Sequence, residues 1–296
     1  MNHLSFLQAI VIGLVQGITE LFPISSLGHS VLVPAWLGGS WQTLVTQESS
    51  PESPYLAFIV GLHVATALAL LILFRRDWVA IVKGFFTSIQ NRSVETVHER
   101  LAWLIIIATI PVGIAGLVLE HLLRTVFAKP LAASIFLMIN GVILLAGERL
   151  RRRAPGVSDA ELDAADTDDD IVDNVRPKDA AWIGALQISA LFAGISRSGV
   201  TMVGGLLRGL SHEEAVRFSF LLATPVIFAA GVYKIPDLIG PLGNGIRGQV
   251  LVGSATAFVA AFFSAKFLVR WFKTRTLTPF AIYCLVVGAA SVIRFS

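Results

Sequence analysis

Long apolar runs separated by short polar stretches make up most of this chain. Six of them approach the roughly 20 residues that cross about 30 Å of hydrocarbon as a helix. They are residues 55–74, 101–119, 130–147, 218–233, 250–265 and 277–293. Two further apolar segments, residues 6–34 and 180–207, are interrupted by Gly, Pro, Ser and ionisable residues. The pattern predicts six transmembrane helices and two segments of another kind.

Composition supports a membrane environment and excludes a water-soluble globular domain. The chain is 55% hydrophobic and only 15% charged, with a mean hydropathy of +0.74. Those proportions do not describe a surface solvated by water. The formal net charge of +3 is too small to indicate a nucleic-acid partner. We therefore expect membrane lipids, and no nucleic acid, around this protein.

Basic residues cluster beside three of the runs, within residues 75–100, 149–153 and 266–275. Such clusters mark cytoplasmic loops. All three can share one side only if residues 6–34 and 180–207 each enter and leave by the same face. Both segments are therefore predicted to be re-entrant helical hairpins, the first dipping in from outside and the second from the cytoplasm. This arrangement places both termini outside.

The two halves of the chain resemble each other at an offset of 171 residues, which pairs Ser25 with Ser196 and Gly28 with Gly199. A hairpin plus three spans inverts the second copy, so we predict an all-α integral membrane fold with two inverted-topology repeats. The repeats are residues 1–148 and 179–296. They are joined by an acidic cytoplasmic linker, residues 149–178, whose stretch 155–174 is expected to be disordered. A cation-binding or partner-binding tail is the alternative for that stretch.

The first hairpin contains QGITELFPISSLGH, residues 16–29. Gln16 and Glu20 lie four residues apart, so on a helix they share a face. The Phe-Pro pair ends that helix, and Ser25 or Ser26 can cap the next one. A helix that begins inside a membrane presents free N–H groups and the positive end of its dipole, which suits a phosphate. His29 is close enough in sequence to reach the same ligand or Ser26.

The second hairpin contains AGISRSGVT, residues 193–201, with Arg197 in its turn. A buried guanidinium is costly and is well suited to phosphate oxygens, so Arg197 and Glu20 are predicted to act on a ligand. Three simpler interpretations stay open. The serines could be packing residues, Glu20 and Arg197 could form a structural ion pair without substrate, and His63 could be a hydrogen-bonded interior residue.

These motifs resemble the signature regions of the undecaprenyl-diphosphatase family, also called the bacitracin resistance protein BacA family. The likeness also covers RFSFLLATPVIFAAGVYK, residues 217–234, and PFAIY, residues 279–283. The family's acidic motif matches Gln16 and Glu20, and its arginine matches Arg197. Its serine and histidine match Ser26 and His29. The chain departs from the pattern at Leu27 and Ala193, which replace Thr and Pro, at Gln16, which replaces Glu, and in its longer linker.

The resemblance implies an enzyme that hydrolyses undecaprenyl diphosphate to the monophosphate and inorganic phosphate in the plasma (inner) membrane, with its site open to the extracytoplasmic side. It implies a divalent cation, magnesium or calcium, which we assign to Glu20 and Gln16. Ser26 is the expected nucleophile with His29 as its base, or else His29 activates water. Phosphate binding is assigned to Arg197, Ser25, Ser196, Ser198 and Gly199. The alternative function is a phosphorylated-lipid flippase or anion transporter, and a homodimer is allowed.

Overall fold

The computed structural model describes residues 4–42, 44, 54–127, 129–152, 168–240 and 244–296, and these contain helices and no strand. In chain order the α-helices are α1 Phe6–Thr19, α2 Ser26–Leu37, α3 Pro54–Leu73, α4 Arg75–Asn91, α5 Val97–Phe127, α6 Pro130–Arg152, α7 Asp168–Asn174, α8 Pro177–Leu186, α9 Arg197–Leu206, α10 His212–Ile239, α11 Arg247–Trp271 and α12 Thr278–Phe295. Short 3-10 helices cover Gly39–Trp41 and Gln187–Leu191.

Each of the six predicted spans coincides with part of one long helix, to within one residue at its ends. Five helical stretches are long and apolar enough to cross a membrane, namely Val97–Leu119, Pro130–Arg151, His212–Val232, Arg247–Trp271 and Thr278–Phe295. A sixth candidate joins Phe58–Leu73 to Arg75–Asn91, with a bend of 87° between the two parts. The chain is therefore an all-helical, multi-pass membrane protein, as its hydrophobic pattern predicts.

Two described segments differ from the sequence interpretation. Residues 75–91 were expected to belong to a cytoplasmic loop, but they form α4, whose small or apolar residues Ile81, Gly84 and Ser88 are buried. The end of the supposedly disordered linker is also ordered, because residues 168–174 form α7 and Ile171 is fully buried in the core. Residues 153–167 of the linker lie outside the described residues. In both segments a few regularly spaced residues pack against the bundle, which offsets the entropy of ordering them.

Helix packing pairs elements from the two halves of the chain. The most extensive contacts join α6 to α12, α1 to α11, α3 to α10, α3 to α11 and α5 to α8. Two of these interfaces require glycine at positions that are equivalent in the 171-residue offset. A Cβ atom on Gly13 of α1 would collide with the backbone of Gly253 on α11, and one on Gly184 of α8 would collide with the backbone of Ala108 on α5. Close helix approach thus uses the same residue type in each half.

Three ion pairs gather the basic segments at one end of the bundle, which we call the basic end. Arg217 of α10 donates to Asp77 of α4 at 3.0 Å. His212, at the start of α10, lies 2.9 Å from Glu148 near the end of α6. Lys273, just after α11, lies 2.8 Å from Glu213. The segments after α3, α6 and α11 therefore meet around the start of α10.

Candidate functional site

The first turn carries its polar residues between α1 and α2. Helix α1 ends at Thr19, and the Glu20 N–H still donates to Gln16. Ser25 is the N-cap of α2, and its side chain accepts a hydrogen bond from the Gly28 N–H. Its backbone has a φ of 72°, in the left-handed region that is unusual for a residue other than glycine. Such strain persists only where surrounding contacts fix it, which is typical of functional sites.

The second turn repeats the same capping pattern. Ser196 is the N-cap of α9 and accepts from the Gly199 N–H at 3.1 Å. Gly194 in this turn has a φ of 114°, and its N–H donates to the Ser25 hydroxyl of the first turn at 3.1 Å. Arg197 is the first residue of α9. The two predicted turns therefore touch directly, as their similarity in sequence led us to expect.

Asn140 of α6 holds the two turns together from behind. Its side-chain nitrogen donates to the Pro23 carbonyl at 2.9 Å, and its side-chain oxygen accepts from the Ser196 N–H at 2.9 Å. The side chain is fully buried. No sequence pattern indicates this role, because one Asn inside an apolar span is also typical of ordinary helix packing.

Glu20 is the centre of the polar cluster. One carboxylate oxygen lies 2.6 Å from the Arg197 guanidinium. The other accepts from the Ser26 hydroxyl and, at 3.0 Å, from the Gln16 amide, and it lies 3.5 Å from His63 Nε2. Glu20 and Ser26 are each only 8% exposed. The predicted convergence of Gln16, Glu20, Ser26 and Arg197 is therefore present in the structure.

This cluster borders a cavity of about 500 Å³. Glu20, Ser25, Ser26, Ser196 and Arg197 form part of its wall, so the starts of α2 and α9 both reach it. The remaining wall is mainly apolar and comes from α3, α5, α10 and the 3-10 helix after α8. A cavity with one polar end and long apolar walls matches a ligand that has a charged head and a hydrocarbon tail.

His29 is not brought into this cluster. Its Nδ1 lies 2.7 Å from the Ser25 carbonyl, its Nε2 lies 2.8 Å from the Tyr283 hydroxyl, and its ring stacks on Tyr283. Because a carbonyl only accepts, the neutral ring has its proton on Nδ1 and donates it to the Ser25 carbonyl. Its Nε2 then accepts a hydrogen bond from the Tyr283 hydroxyl. Both nitrogens are engaged away from Ser26. The residue instead ties α2 to α12.

His63 was interpreted from the sequence as a hydrogen-bonded interior residue, and its Nδ1 does lie 2.9 Å from the Ile59 carbonyl. Its Nε2, however, faces Glu20, and the residue lines the cavity. The signal that could have identified it is that an ionisable side chain inside an apolar span is functional by default. His63, and not His29, is therefore the imidazole that faces Glu20.

The other residues assigned to phosphate binding have structural contacts. The Ser198 hydroxyl donates to the Phe22 carbonyl at 3.1 Å and lies 2.9 Å from the Ser196 hydroxyl. The Gly199 N–H is taken by the Ser196 cap. Ser198 and Gly199 are not part of the cavity wall, whereas Ser25 and Ser196 are. These four residues chiefly hold one turn against the other.

The site combines a hydroxyl, a carboxylate and a guanidinium at a mainly apolar cavity, within a multi-pass membrane protein. Those groups can attack, accept a proton and hold an anion, which is the equipment of phosphoryl transfer. Comparison with known sequences then identifies the family. The family described as "Bacitracin resistance protein BacA" matches residues 9–290, nearly the whole chain, and the chain belongs to that family.

Individual relatives agree with this assignment. A protein of Mycolicibacterium paratuberculosis named undecaprenyl-diphosphatase is 59% identical, and the match covers 98% of this chain and 97% of that protein. Undecaprenyl-diphosphatase 2 of Frankia alni is 54% identical, covering 100% and 99% of the two chains. Undecaprenyl-diphosphatase 2 of Chromobacterium violaceum is 42% identical over 97% and 98%. The similarity thus extends over full-length proteins of one name.

Proposed function

We infer that this protein is an undecaprenyl-diphosphate phosphatase, which releases inorganic phosphate from the lipid diphosphate and returns the monophosphate carrier to cell-wall synthesis. Bacitracin resistance, which the family description names, belongs to the same inference. The observation that carries the inference is the contact of Glu20 with both Ser26 and Arg197 at the polar end of the cavity. The full-length relatives share the activity in their names.

The substrate's two parts correspond to two parts of the cavity. The diphosphate would lie against Arg197 and the starts of α2 and α9, where positive charge and helix dipoles favour an anion. The prenyl chain would follow the apolar wall, which includes Val60, Val112 and Ile227. In apolar surroundings, fixed positive groups stabilise phosphate charge more strongly than they do in water.

The proposed reaction begins at the Ser26 hydroxyl. Its oxygen attacks the terminal phosphorus while the proton passes to Glu20, which already accepts it as a hydrogen bond. The bond from phosphorus to the bridging oxygen breaks, and undecaprenyl phosphate leaves. Water then hydrolyses the phosphoserine, which restores Ser26 and releases inorganic phosphate. Arg197 balances the charge of the phosphoryl group in both steps.

Two hypotheses for the base stay separate. His29 was the sequence-based candidate, whereas the contacts favour Glu20, because both nitrogens of His29 are engaged by Ser25 and Tyr283. If Glu20 is the base, His29→Gln lowers kcat less than about tenfold, because it removes only a support of α2. A loss in His29→Gln as large as that in Ser26→Ala would return the role of base to His29.

The divalent cation, magnesium or calcium, also remains a proposal. Among the described residues no group of three or more His, Cys, Asp or Glu side chains could hold an ion. Both oxygens of Glu20 already accept hydrogen bonds, and Gln16 donates to one of them. Mg²⁺ is often held by one or two carboxylates together with substrate phosphates. We propose that Glu20 and the Gln16 side-chain oxygen would share an ion with the diphosphate, which would replace hydrogen bonds on Glu20 and neutralise phosphate charge.

The inverted repeat, with residues 1–148 and 179–296 as its two copies, is proposed from packing. Contact of α1 with α11 corresponds to contact of α8 with α5 when the halves are exchanged, and α6 with α12 and α3 with α10 exchange into themselves. The equivalent glycines Gly13 and Gly184 support the same two-fold relation. We propose that α1 with α2, and α8 with α9, are the two re-entrant hairpins, whose turns meet near the midplane.

The proposed orientation rests on the basic end. Cytoplasmic segments carry an excess of Lys and Arg, so we propose that the basic end faces the cytoplasm. The membrane would be the plasma (inner) membrane. The termini and the opening of the site then lie on the extracytoplasmic side. The linker, residues 149–178, is cytoplasmic in this arrangement. A homodimer remains an additional proposal without a contact to carry it.

Phosphate release from undecaprenyl diphosphate by the purified protein tests the function directly. We expect turnover in wild type, loss of turnover in Glu20→Ala, and a phosphoserine at Ser26 when the reaction is quenched. Unfolding must be excluded by a melting curve for the variant. A lipid flippase or an anion transporter would move its substrate without releasing phosphate. Movement of the substrate across the membrane without any release of phosphate would therefore overturn the proposal.

A further inference from the structure

Helix α4 leaves the direction of the transmembrane bundle. It follows α3 after a single residue, and the two helices differ in direction by 87°. Helix α3 contains one of the apolar stretches that the chain offers for crossing the membrane. When α3 crosses, α4 must lie nearly parallel to the membrane plane, at the basic end of the bundle.

One face of α4 is fixed to the protein. Ser88 accepts a hydrogen bond from Trp103 of α5 at 3.0 Å. A Cβ atom on Gly84 would collide with the backbone of His98 and Glu99, so the helix rests directly on the start of α5. Ile81 on the same face is only 3% exposed. Only the other face of α4 is available to a partner.

That outer face is apolar. Val79, Val82, Phe86 and Ile89 are spaced three, four and three residues apart, which places them in one stripe along the helix. Their exposed fractions are 70%, 46%, 64% and 52%. We call these four residues the outer stripe. Large apolar residues exposed in a continuous stripe indicate a surface that contacts another apolar phase.

Positive charge borders the outer stripe. Arg76 and Lys83 are exposed and lie seven residues apart, so they follow the same side of the helix. Asp77, the acidic residue in the first turn, is bonded to Arg217 of α10. The outer surface of α4 therefore combines an apolar stripe with unbalanced basic residues. That combination is the signature of a helix at the surface of an anionic membrane.

We propose that α4 is an interfacial anchor that binds anionic phospholipids of the leaflet at the basic end. The outer stripe enters the boundary between headgroups and acyl chains, and Arg76 and Lys83 contact headgroup phosphates. A lipid surface is the occupant that matches both features, since α3 already brings α4 to the membrane boundary. The surface lies apart from Glu20, Ser26 and Arg197, and the proposal does not depend on the phosphatase activity.

Spin labels on single cysteines test the depth of the stripe in phospholipid nanodiscs. Labels are placed at Val82→Cys and Phe86→Cys, with Val286→Cys of α12 as a deep control and Arg92→Cys as an aqueous one. Wild type, whose single Cys284 is buried, gives the labelling blank. We expect labels at 82 and 86 to favour oxygen over a nickel complex, less strongly than at 286. Nickel access equal to that at 92 would overturn the anchor, and so would immobilised labels that neither reagent reaches, which would indicate a protein partner.

A lipid-retention experiment tests the charge. Wild type, Arg76→Gln with Lys83→Gln, and the control Arg294→Gln, at an exposed residue of α12, are reconstituted with phosphatidylcholine and phosphatidylglycerol. Retained lipids are then counted by native mass spectrometry. We expect retained phosphatidylglycerol to fall about fivefold for each charge removed from α4, and to stay at the wild-type level in the control. Equal retention in all three proteins would contradict the binding of anionic headgroups.

Discussion

Two buried clusters, at different places in the bundle, contain the same types of side chain. At the site, Glu20 contacts Arg197 and lies near His63. At the basic end, Glu148 lies 2.9 Å from His212, whose other ring nitrogen lies 2.7 Å from Arg151. Both carboxylates are almost fully buried. Residue type and burial alone therefore do not distinguish the candidate site from the other cluster.

The difference lies in what surrounds each carboxylate. Glu148 also accepts from the Leu277 N–H at 2.9 Å, so it joins the end of α6 to the start of α10 and to the segment before α12. None of its cluster lines the cavity, whereas Glu20, His63 and Arg197 all do. A buried ion pair that borders an open volume can exchange its partner for a ligand. One that is enclosed by protein has no ligand to exchange with, and removal of one partner leaves the other buried without its counter-charge.

The largest expected effect on activity is that of replacing Ser26. The Glu148 cluster described above contains no equivalent of this residue. Ser26→Ala is expected to lower kcat about 10⁴-fold or more, because the attacking oxygen is removed. Phosphate release under saturating substrate measures it. Ser30→Ala is the control, since that hydroxyl donates to Leu27 on the same helix and lies outside the cavity wall. Substantial turnover in Ser26→Ala would favour direct attack by water.

Glu148→Ala should break the enclosed cluster with a different result. We expect the free energy of unfolding to fall by ~3–5 kcal/mol, because the partners of the buried carboxylate lose their acceptor. The specific activity of the folded fraction should stay near wild type. Chemical denaturation in detergent, together with phosphate release normalised to folded protein, measures both. A selective loss of kcat in a stable Glu148→Ala protein would erase the distinction between the clusters.

Arg197→Ala is expected to lower kcat/KM about 10²–10³-fold, because one fixed positive group of the phosphoryl site is lost. Lysine is a poor substitute for a guanidinium, so Arg197→Lys should recover little. The matched arginine of the other cluster is Arg151, and Arg151→Ala should keep kcat/KM while it lowers the melting temperature. Similar losses of kcat/KM in both alanine variants would show that the cavity does not separate the two roles.

Asn140 is expected to have the smallest effect, because it acts through the turns and does not contact the reacting groups. Asn140→Ala should lower kcat about ten- to a hundredfold with little change in KM, since displacement of the turns misplaces Ser26 and Arg197. Ser134→Ala is the control, because Ser134 is equally buried in α6 and its hydroxyl donates to Pro130 of the same helix. If the two variants lose the same activity, general destabilisation explains the result.

The sequence predicts the spans and the centre of the site because both follow from one physical fact, the cost of polar groups in hydrocarbon. Apolar runs without charges mark the helices, and Glu20 and Arg197 are conspicuous because they interrupt such runs. Helix α4 was missed for the converse reason. Its basic residues are typical of a loop, and the buried face of the helix becomes evident only from its contact with α5.

Other parts of the site depend on contacts across the fold. Asn140 meets partners 117 and 56 residues away in the chain. The ring of His29 meets Tyr283, which lies 254 residues away in the chain. His63 lies opposite Glu20 only because α3 packs near the first turn. No local pattern contains these facts, so sequence spacing can predict which turns matter without predicting every side chain that serves them.

The bonds through Asn140 and Ser25 have a mechanical consequence. They fasten a turn from one half of the chain to a turn from the other, with all partners buried. Alternating access would require the two halves to rock apart along this seam and to leave those polar groups without partners in each cycle. Hydrolysis requires no such movement, because residues of both turns already line the cavity. A covalent cross-link across the seam should therefore leave turnover intact.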